Sequence, residues 1–202
     1  MALWAIIPVK PLRRGKSRLA KVISADKRAD LNQYLLEHTI RVLNTIDEIE
    51  HILVISRDKE ALSQARELGA RTVQEHGSPG LNTALSRAVE VAKSSKASGI
   101  LIIPADLPRL EADDIKSILA HKNDPPVVAI APDWKQEGTN ALFVCPPDLI
   151  DFKYGKGSFE KHSQQARQVG VRLEICNLPS LELDLDEPED YALMEAELRL
   201  SE

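Results

Sequence analysis

A basic loop follows the first apolar segment of the chain. Residues 2–9 are apolar, and the next nine residues hold five cations: Lys10, Arg13, Arg14, Lys16 and Arg18. Such side chains offset the charge of a polyphosphate, while Gly15 lets the backbone approach it and the following residues offer helix N-terminal amides. The loop therefore predicts a polyphosphate-binding site, and a solvated basic turn is the alternative interpretation.

Two familiar phosphate-binding patterns are absent from this loop. The run Gly15-Lys16-Ser17 invites comparison with a P-loop, but that pattern requires a glycine where Lys10 stands. No G-x-G-x-x-G follows the first apolar segment either, so a dinucleotide cofactor is not indicated.

Acidic residues follow two later apolar patterns. Asp106 comes directly after the apolar run 100–105, and the alternation of residues 181–186 places Asp184 and Asp186 on one face of an extended segment. Carboxylates together with substrate phosphates are the ligands that Mg²⁺ prefers, and crowded carboxylates need a cation. Asp186 also precedes a Glu-Pro-Glu helix-start pattern, so both a metal ligand and a helix cap are open for it.

Two further segments have the composition of anion sites. One is Gly138-Thr139-Asn140, and the other is residues 154–159, which include Gly155 and Ser158. The hydroxyl groups of Thr139 and Ser158, with nearby backbone amides, could hold a phosphate or a carboxylate. For the second segment, a turn followed by an N-cap serine is the alternative.

The elements that position these residues alternate between strand and helix. Helical periodicity marks residues 31–46 and 81–92, and short apolar runs predict strands at 3–9, 51–56, 99–104, 127–131, 141–145 and 172–176. This order predicts an α/β fold with a mostly parallel sheet, helices on both faces and ligands at the carboxyl ends of the strands. The loop 133–140 is too short for a parallel crossover, so a hairpin in a mixed sheet is expected there.

Composition limits the class of protein. The 202 residues suit a single domain covering 1–202, and the net charge of −5 argues against a nucleic-acid partner. No apolar run approaches the roughly 18 residues of a membrane span, and Cys145 and Cys176 form no metal or disulfide motif. We expect a cytoplasmic protein with no membrane partner.

Taken in order along nearly the whole chain, these motifs resemble those of the CofC/FbiD guanylyltransferases of coenzyme F-420 biosynthesis. The motifs are 6–10, 15–19, 81–85, 104–108, 138–142, 154–159 and 184–186. The resemblance implies the nucleotide-diphospho-sugar transferase fold, a Rossmann-like three-layer α/β/α sandwich. It further implies transfer of GMP from GTP to phosphoenolpyruvate or 2-phospho-L-lactate, with release of pyrophosphate.

The resemblance also implies roles for individual residues. Thr139, Gly155 and Ser158 would hold the phosphorylated acid. Asp106, Asp184 and Asp186 would bind Mg²⁺. The GTP phosphates would contact the first loop at Lys10, Arg13, Gly15, Lys16 and Arg18, and Asn82 would lie near the nucleotide. Lys16 and Asp106 are the expected catalytic residues.

The chemistry expected from these groups needs no histidine base. A phosphate monoester with a second pKa of about 6 is already largely ionised at neutral pH, so positioning and charge stabilisation suffice. Phosphoenolpyruvate and 2-phospho-L-lactate would meet the same anion sites, so the sequence leaves both open as acceptor, and the resemblance favours phosphoenolpyruvate. The sequence also leaves the oligomeric state open, with a homodimer as one alternative. The alternatives are a molybdopterin guanylyltransferase, a sugar-phosphate nucleotidyltransferase or a non-catalytic nucleotide-binding module.

Overall fold

The first strand of the chain is buried on both sides, as its apolar sequence predicts. In the computed structural model, which describes residues 2–77 and 79–200 and side-chain surroundings as far as residue 194, strand β1 is Leu3–Val9. Its residues from Leu3 to Ile7 are almost completely inaccessible to solvent. A strand of this kind belongs at the centre of a sheet covered by helices on both faces.

The remaining elements alternate as expected. The helices are α1 Ala25–Asn44, α2 Lys59–Glu67, α3 Leu81–Ser94, α4 Ala112–Leu119, α5 Ser158–Gln168 and α6 Pro188–Leu200. The other strands are β2 Ile49–Ser56, β3 Arg71–Gln74, β4 Gly99–Ile102, β5 Val127–Pro132, β6 Thr139–Cys145 and β7 Arg172–Ile175. Short 3₁₀ turns occur at Ser17–Lys21, Ala120–Asn123 and Pro179–Leu181.

Within the described residues the strands form one seven-stranded mixed sheet. Its order is β3-β2-β1-β4-β6-β5-β7, and the pairs are parallel except β4 with β6 and β5 with β6. Strand β6 therefore runs opposite to all the others. The expected hairpin is confirmed as β5 and β6, and the mostly parallel α/β sheet is confirmed with it.

Two apolar cores separate the three layers. Leu3, Ala5 and Ile7 of β1 pack in one core, which also contains buried residues of α1, α2 and α4. Trp4 and Ile6 pack in the other core, with buried residues of α3 and α5. The period-two alternation of β1 thus distributes its side chains between the layers. In the described part of the chain, no helix combines the length and apolarity needed to cross a membrane.

Two local predictions differ from the structure. Strand β3 was not expected, because its four residues Arg-Thr-Val-Gln lie at the sheet edge and carry little apolar signal. Residues 181–186 were expected to be extended, but they begin within the 3₁₀ turn Pro179–Leu181 and join no strand of the sheet. Their alternation in burial is nevertheless present, since Leu181, Leu183 and Leu185 are buried and the acidic residues between them are half-buried. The assignment of residues 1–202 to one domain stays a prediction.

Gly99 shows how tightly the central strands pack. A Cβ atom at this position would lie 2.8 Å from Leu3 Cδ2 and 3.3 Å from Phe143 Cε2. We expect Gly99→Ala to lower the free energy of unfolding by about 1–3 kcal/mol through overpacking, measured by urea denaturation. Gly80→Ala is the matched control, because its Cβ would meet Thr83 Oγ1 at an ordinary 3.5 Å. Equal stability of the two variants would contradict this account of the core.

Candidate functional site

The loops with the predicted site residues meet at one edge of the sheet. The basic loop follows β1, and Asp106 follows β4, which pairs directly with β1 through Ile6 and Ile102. Because β6 is antiparallel to its neighbours, its first residue, Thr139, lies at the edge where the other strands end. The reversed strand therefore brings Thr139 to the same edge of the sheet.

A cleft of about 350 Å³ opens at this edge. Its walls include five of the predicted residues, namely Lys10, Gly15, Lys16, Asp106 and Asp186. A second end of the cleft includes Arg57, Glu75 and the apolar residues Ile55 and Leu81. A volume of this size, with a few charged groups in an otherwise apolar lining, is typical of a small-molecule site.

Lys16 is held in an unusual conformation inside the cleft. Its φ of +55° lies in the left-handed region, where a residue other than glycine is uncommon, and the residue is only 8% exposed. Its Nζ lies 3.4 Å from Asp106 Oδ2. Strained backbone of this kind persists where the surroundings fix it, often in functional sites. The structure therefore places the two predicted catalytic residues in contact.

Gly15 is required by packing within the loop. A Cβ atom here would lie 2.7 Å from Asn32 Nδ2, which donates a hydrogen bond to the Leu12 carbonyl at 2.6 Å. The glycine thus lets the basic loop lie against helix α1. Its predicted second use, a close approach of backbone to phosphate, stays a prediction.

Three of the five loop cations, Arg13, Arg14 and Arg18, are not among the residues that line the cleft. Arg13 forms an exposed ion pair with Asp26 at 2.8 Å and is not among the residues that line the cleft. Arg18 pairs with Asp186 at 2.9 Å and with Glu187 at 2.8 Å. The structure therefore brings Lys10 and Lys16 into the cleft directly, whereas Arg18 reaches it through Asp186.

The predicted acidic residues influence one another. Burial, and next the Asp106 carboxylate, raise the pKa of Asp184 to about 6, with smaller contributions from Asp186 and Asp133. Asp106 Oδ1 is buried without a hydrogen-bond partner, and its backbone carbonyl accepts from the Leu185 N–H at 2.9 Å. Unpartnered carboxylate oxygen and mutual repulsion are both relieved by a bound cation.

These residues do not form a ready-made metal cage. Within residues 2–77 and 79–194, no group of three histidine, cysteine or acidic side chains is close enough to hold a metal ion. Lys16 engages Asp106 while Arg18 engages Asp186, and the assignment of Asp106, Asp184 and Asp186 as metal ligands stays a prediction. The donor set that fits a cation is Asp106 with its neighbour Asp184.

The structure also bears on the two interpretations of Asp186. Helix α6 begins at Pro188, so Asp186 lies one residue before the N-cap position. The N–H groups of Asp186 and Glu187 donate to Asp190 Oδ2, at 3.2 and 2.7 Å. The capping carboxylate is Asp190, and the Asp186 carboxylate instead faces Arg18.

A buried histidine contacts the predicted acceptor residue Thr139. Burial, together with Lys161, lowers the pKa of His162 to about 4, so its imidazole is neutral at neutral pH. Nε2 accepts from the Lys153 N–H at 3.0 Å, which leaves the proton on Nδ1, 3.0 Å from Thr139 Oγ1. The Thr139 oxygen thus accepts from His162, and its own proton is free for an acceptor.

Sequence patterns did not single out His162. Its four-residue spacing from Ser158 places both residues on the same face of α5, and both are buried. That shared face was the available signal.

The remaining predicted residues form a connected loop system. Gly155 adopts φ +116°, and its carbonyl accepts from the N–H of Ser158, the first residue of α5. Asn82 bridges to this loop, because its Oδ1 accepts from the Tyr154 N–H at 2.8 Å and its Nδ2 donates to the Tyr154 carbonyl at 3.3 Å. Asn82 thus positions the loop of Gly155, and its contact with the nucleotide stays a prediction.

Comparison with known proteins identifies close relatives in sequence. The family model described as guanylyl transferase CofC like matches residues 3–197. A phosphoenolpyruvate guanylyltransferase of Rubrobacter xylanophilus is 39% identical over 196 residues, covering 97% of this chain and 95% of the relative. A 2-phospho-L-lactate guanylyltransferase of Methanocaldococcus jannaschii is 35% identical over 186 residues, covering 92% of this chain and 79% of the relative.

Solved structures share the fold at low sequence identity. One is assigned as a nucleotide-diphospho-sugar transferase from Desulfovibrio desulfuricans G20, with a TM-score of 0.77, 15% identity and coverage of 96% and 87% of the two chains. Another is a nucleotidyl transferase from Methanothermobacter, with a TM-score of 0.73, 16% identity and coverage of 100% and 99%. The Rossmann-like fold expected from the sequence is confirmed.

The raised pKa of Asp184 has a measurable consequence for stability. A carboxyl with a pKa of about 6 in the folded protein and 3.8 as its reference value destabilises the fold when ionised. That penalty is full above about pH 6 and disappears as the pH falls towards 3.8. Asp184→Asn should therefore raise the free energy of unfolding at pH 8, and its advantage should shrink at pH 4.

Urea denaturation of the metal-free protein at pH 8, 6 and 4 checks this expectation. Asp148→Asn is the control, because the Asp148 side chain is 61% exposed and lies outside the cleft. It should change stability by less than about 0.5 kcal/mol at each pH. An Asp184→Asn variant that is less stable than the unmodified protein at pH 8 would contradict the explanation that burial and the Asp106 carboxylate raise the pKa of Asp184.

Proposed function

Because the chain belongs to the family of CofC-like guanylyl transferases, we propose that it transfers the guanylyl group of GTP to a small phosphorylated acid, releasing pyrophosphate, in coenzyme F-420 biosynthesis. The acceptor we propose is phosphoenolpyruvate, the substrate named for the Rubrobacter relative at 39% identity. The observation that carries the proposal is the contact between buried Lys16 and Asp106 in a cleft at the carboxyl ends of β1 and β4. A cytoplasmic location and a homodimer stay predictions.

The proposed reaction is a displacement at the α-phosphorus of GTP. An acceptor phosphate oxygen forms the new bond to this phosphorus, while the bond to the bridging oxygen of the β-phosphate breaks and pyrophosphate leaves. The attacking oxygen is already ionised at neutral pH, so no protein group needs to remove a proton. The task of the protein is to hold the two phosphates in line and to balance charge.

Lys16 supplies a fixed positive charge for this task. Its side chain is only 5% exposed, and its ammonium group is held against Asp106 rather than moving in solvent. A charge that is positioned before the reaction stabilises the transition state without reorganisation. Lys10, which lines the same cleft, adds a second cation for the triphosphate.

Asp106 and Asp184 are the residues that we propose hold Mg²⁺. Asp106 offers a buried oxygen without a protein partner, and burial together with the Asp106 carboxylate raises the pKa of Asp184, so a cation beside both carboxylates would relieve their repulsion. Mg²⁺ is commonly held by one or two carboxylates and substrate phosphates, so a three-residue cage is not required. When bound, the ion would neutralise negative charge on the phosphates.

The phosphorylated acid is proposed to bind at Thr139, Gly155 and Ser158. Thr139 lies at the cleft edge of the sheet as the first residue of β6, and His162 leaves its hydroxyl proton available for donation. Ser158 opens helix α5, where the backbone amides of the first turn favour an anion. These donors suit the phosphate and carboxylate of a compact acid.

The product of the reaction gives the decisive measurement. Protein, Mg²⁺ and GTP are incubated with phosphoenolpyruvate, 2-phospho-L-lactate or a sugar phosphate, and the nucleotide product is identified by mass with pyrophosphate quantified in parallel. We expect a guanylylated phospho-acid, with phosphoenolpyruvate turned over fastest. Transfer to sugar phosphates alone, or no release of pyrophosphate with any acceptor, would refute the proposal.

Removing either central charge should impair transfer. Lys16→Met and Asp106→Asn are each expected to lower kcat by about 10²–10³-fold, because the first removes a cation aimed at the phosphates and the second removes the carboxylate that is proposed to hold Mg²⁺ and that contacts Lys16. Lys21→Met and Asp148→Asn are matched controls at exposed positions outside the cleft and should remain within about twofold. A single-turnover rate of either site variant equal to that of the unmodified protein would remove that residue from the mechanism.

A further inference from the structure

The cleft continues past β1 to the ends of β2 and β3. The register aligns Val9 with Ser56, and Ser56 with Gln74, so these strands end side by side. Arg57 and Glu75 follow β2 and β3 directly and line the cleft. Asp106 follows β4 on the other side of β1. Three strand spacings of about 4.8 Å, or roughly 14 Å, thus separate the two ends of the cleft.

Glu75 holds a fixed position at the far end. Its side chain is 11% exposed, and Oε1 accepts a hydrogen bond from Arg57 Nη2 at 3.2 Å. The Arg57 guanidinium also donates to the Gly77 carbonyl, and the Glu75 N–H donates to the Ser56 carbonyl at 2.8 Å. Among the described residues, Glu75 Oε2 accepts no hydrogen bond. One oriented carboxylate oxygen is therefore left for a ligand.

The walls around this carboxylate are apolar. Ile55, Pro79, Leu81 and Ala84 line the same end of the cleft, and Leu81 remains 41% exposed. Flat apolar surface with one acceptor at its rim is suited to an aromatic base that has hydrogen-bond donors on its edge. With the phosphates beside Lys16 and Asp106, the base of the nucleotide would extend to this end.

Guanine differs from adenine in the groups that such a carboxylate would meet. Guanine presents two adjacent donors, N1–H and the N2 amino group, whereas adenine presents an unprotonated N1. A carboxylate only accepts hydrogen bonds, so it pairs with the guanine edge and repels the lone pair of adenine. Sites that bury such a group discriminate strongly against ligands that leave it unpaired.

We propose that Glu75, oriented by Arg57, is the guanine-recognising residue of the cleft. Oε2 of Glu75 accepts from guanine N1–H, the second lone pair of Oε1 accepts from N2–H, and the apolar residues contact the face of the base. This assignment rests on the proposed GTP-dependent function and adds the base subsite to it. It also gives Arg57 a role as a positioning residue, through its bond to Glu75 Oε1.

The test compares three nucleotides that differ only on the base edge. Values of kcat/KM for GTP, ITP and ATP are measured with Mg²⁺ and phosphoenolpyruvate by release of pyrophosphate. ITP lacks the N2 amino group, and ATP has a hydrogen-bond acceptor at N1 where GTP has a donor. The unmodified protein should prefer GTP to ITP by roughly ten- to a hundred-fold, the range of one charged hydrogen bond.

Glu75→Gln removes the charge and one acceptor with little change of shape. We expect the preference for GTP over ITP to fall at least about tenfold, and use of ATP relative to GTP to rise. Glu90→Gln is the matched control, since the Glu90 side chain on α3 is 71% exposed, and it should keep the unmodified preferences. A Glu75→Gln variant that keeps the original GTP to ITP ratio would overturn the proposal.

Two measurements separate this inference from the proposed function and from misfolding. Calorimetric binding of GTP and ITP with Mg²⁺, without an acceptor, reports base preference even if no transfer occurs. Absence of transfer with preserved guanine preference would therefore refute only the proposed function. If Glu75→Gln fails to fold, the unmodified protein still decides, because equal use or binding of GTP and ITP would overturn the role of Glu75.

Discussion

A buried lysine next to a half-buried aspartate ties together the loops that follow β1 and β4. Lys16 follows β1 and Asp106 follows β4, and the buried Lys16 ammonium group needs the Asp106 carboxylate, because desolvation of an unpaired ion is costly. The pair depends on β1 and β4 being neighbours in the sheet, which in turn requires the close packing of Gly99 against Leu3. Site geometry and core packing are therefore parts of one constraint.

The reversed strand β6 has a comparable effect on the acceptor side. Thr139 reaches the cleft edge without a further parallel strand and crossover helix, because an antiparallel strand begins where its neighbours end. His162 then fixes the direction of the Thr139 hydroxyl, and Asn82 fixes the Tyr154 backbone. The two predicted anion-binding segments are thereby joined through α3 and α5.

Charge is distributed unevenly along the cleft, and this distribution gives the proposed site its polarity. Lys10, Lys16, Asp106 and Asp186 lie at one end. The Arg57–Glu75 ion pair and its apolar neighbours lie at the other end. A nucleotide has the matching asymmetry, with charged phosphates at one end and a flat base at the other. The strand order determines this arrangement, because β1 and β4 end at the charged part and β2 and β3 end at the base-sized part.

Local sequence patterns were sufficient for the features that depend on neighbouring residues. The range of β1 and the position of Asp106 after a buried strand both follow from periodicity and burial of consecutive residues. The antiparallel hairpin of β5 and β6 followed from the short connection between them. Strand β3 did not, because an exposed four-residue edge strand lacks an apolar pattern.

The partners of the charged side chains were decided only by the tertiary structure. Sequence marked Arg13 and Arg18 as phosphate ligands, yet Arg13 pairs with Asp26 at the surface and Arg18 with Asp186, 168 positions away. The carboxylate that caps α6 is that of Asp190. His162 contacts Thr139, and Glu75 lines the cleft beside residues that follow other strands. Residue type and local period fix which groups are available and near which strand end they lie. Which of them meet depends on strand order and on packing between layers, and no local pattern contains that information.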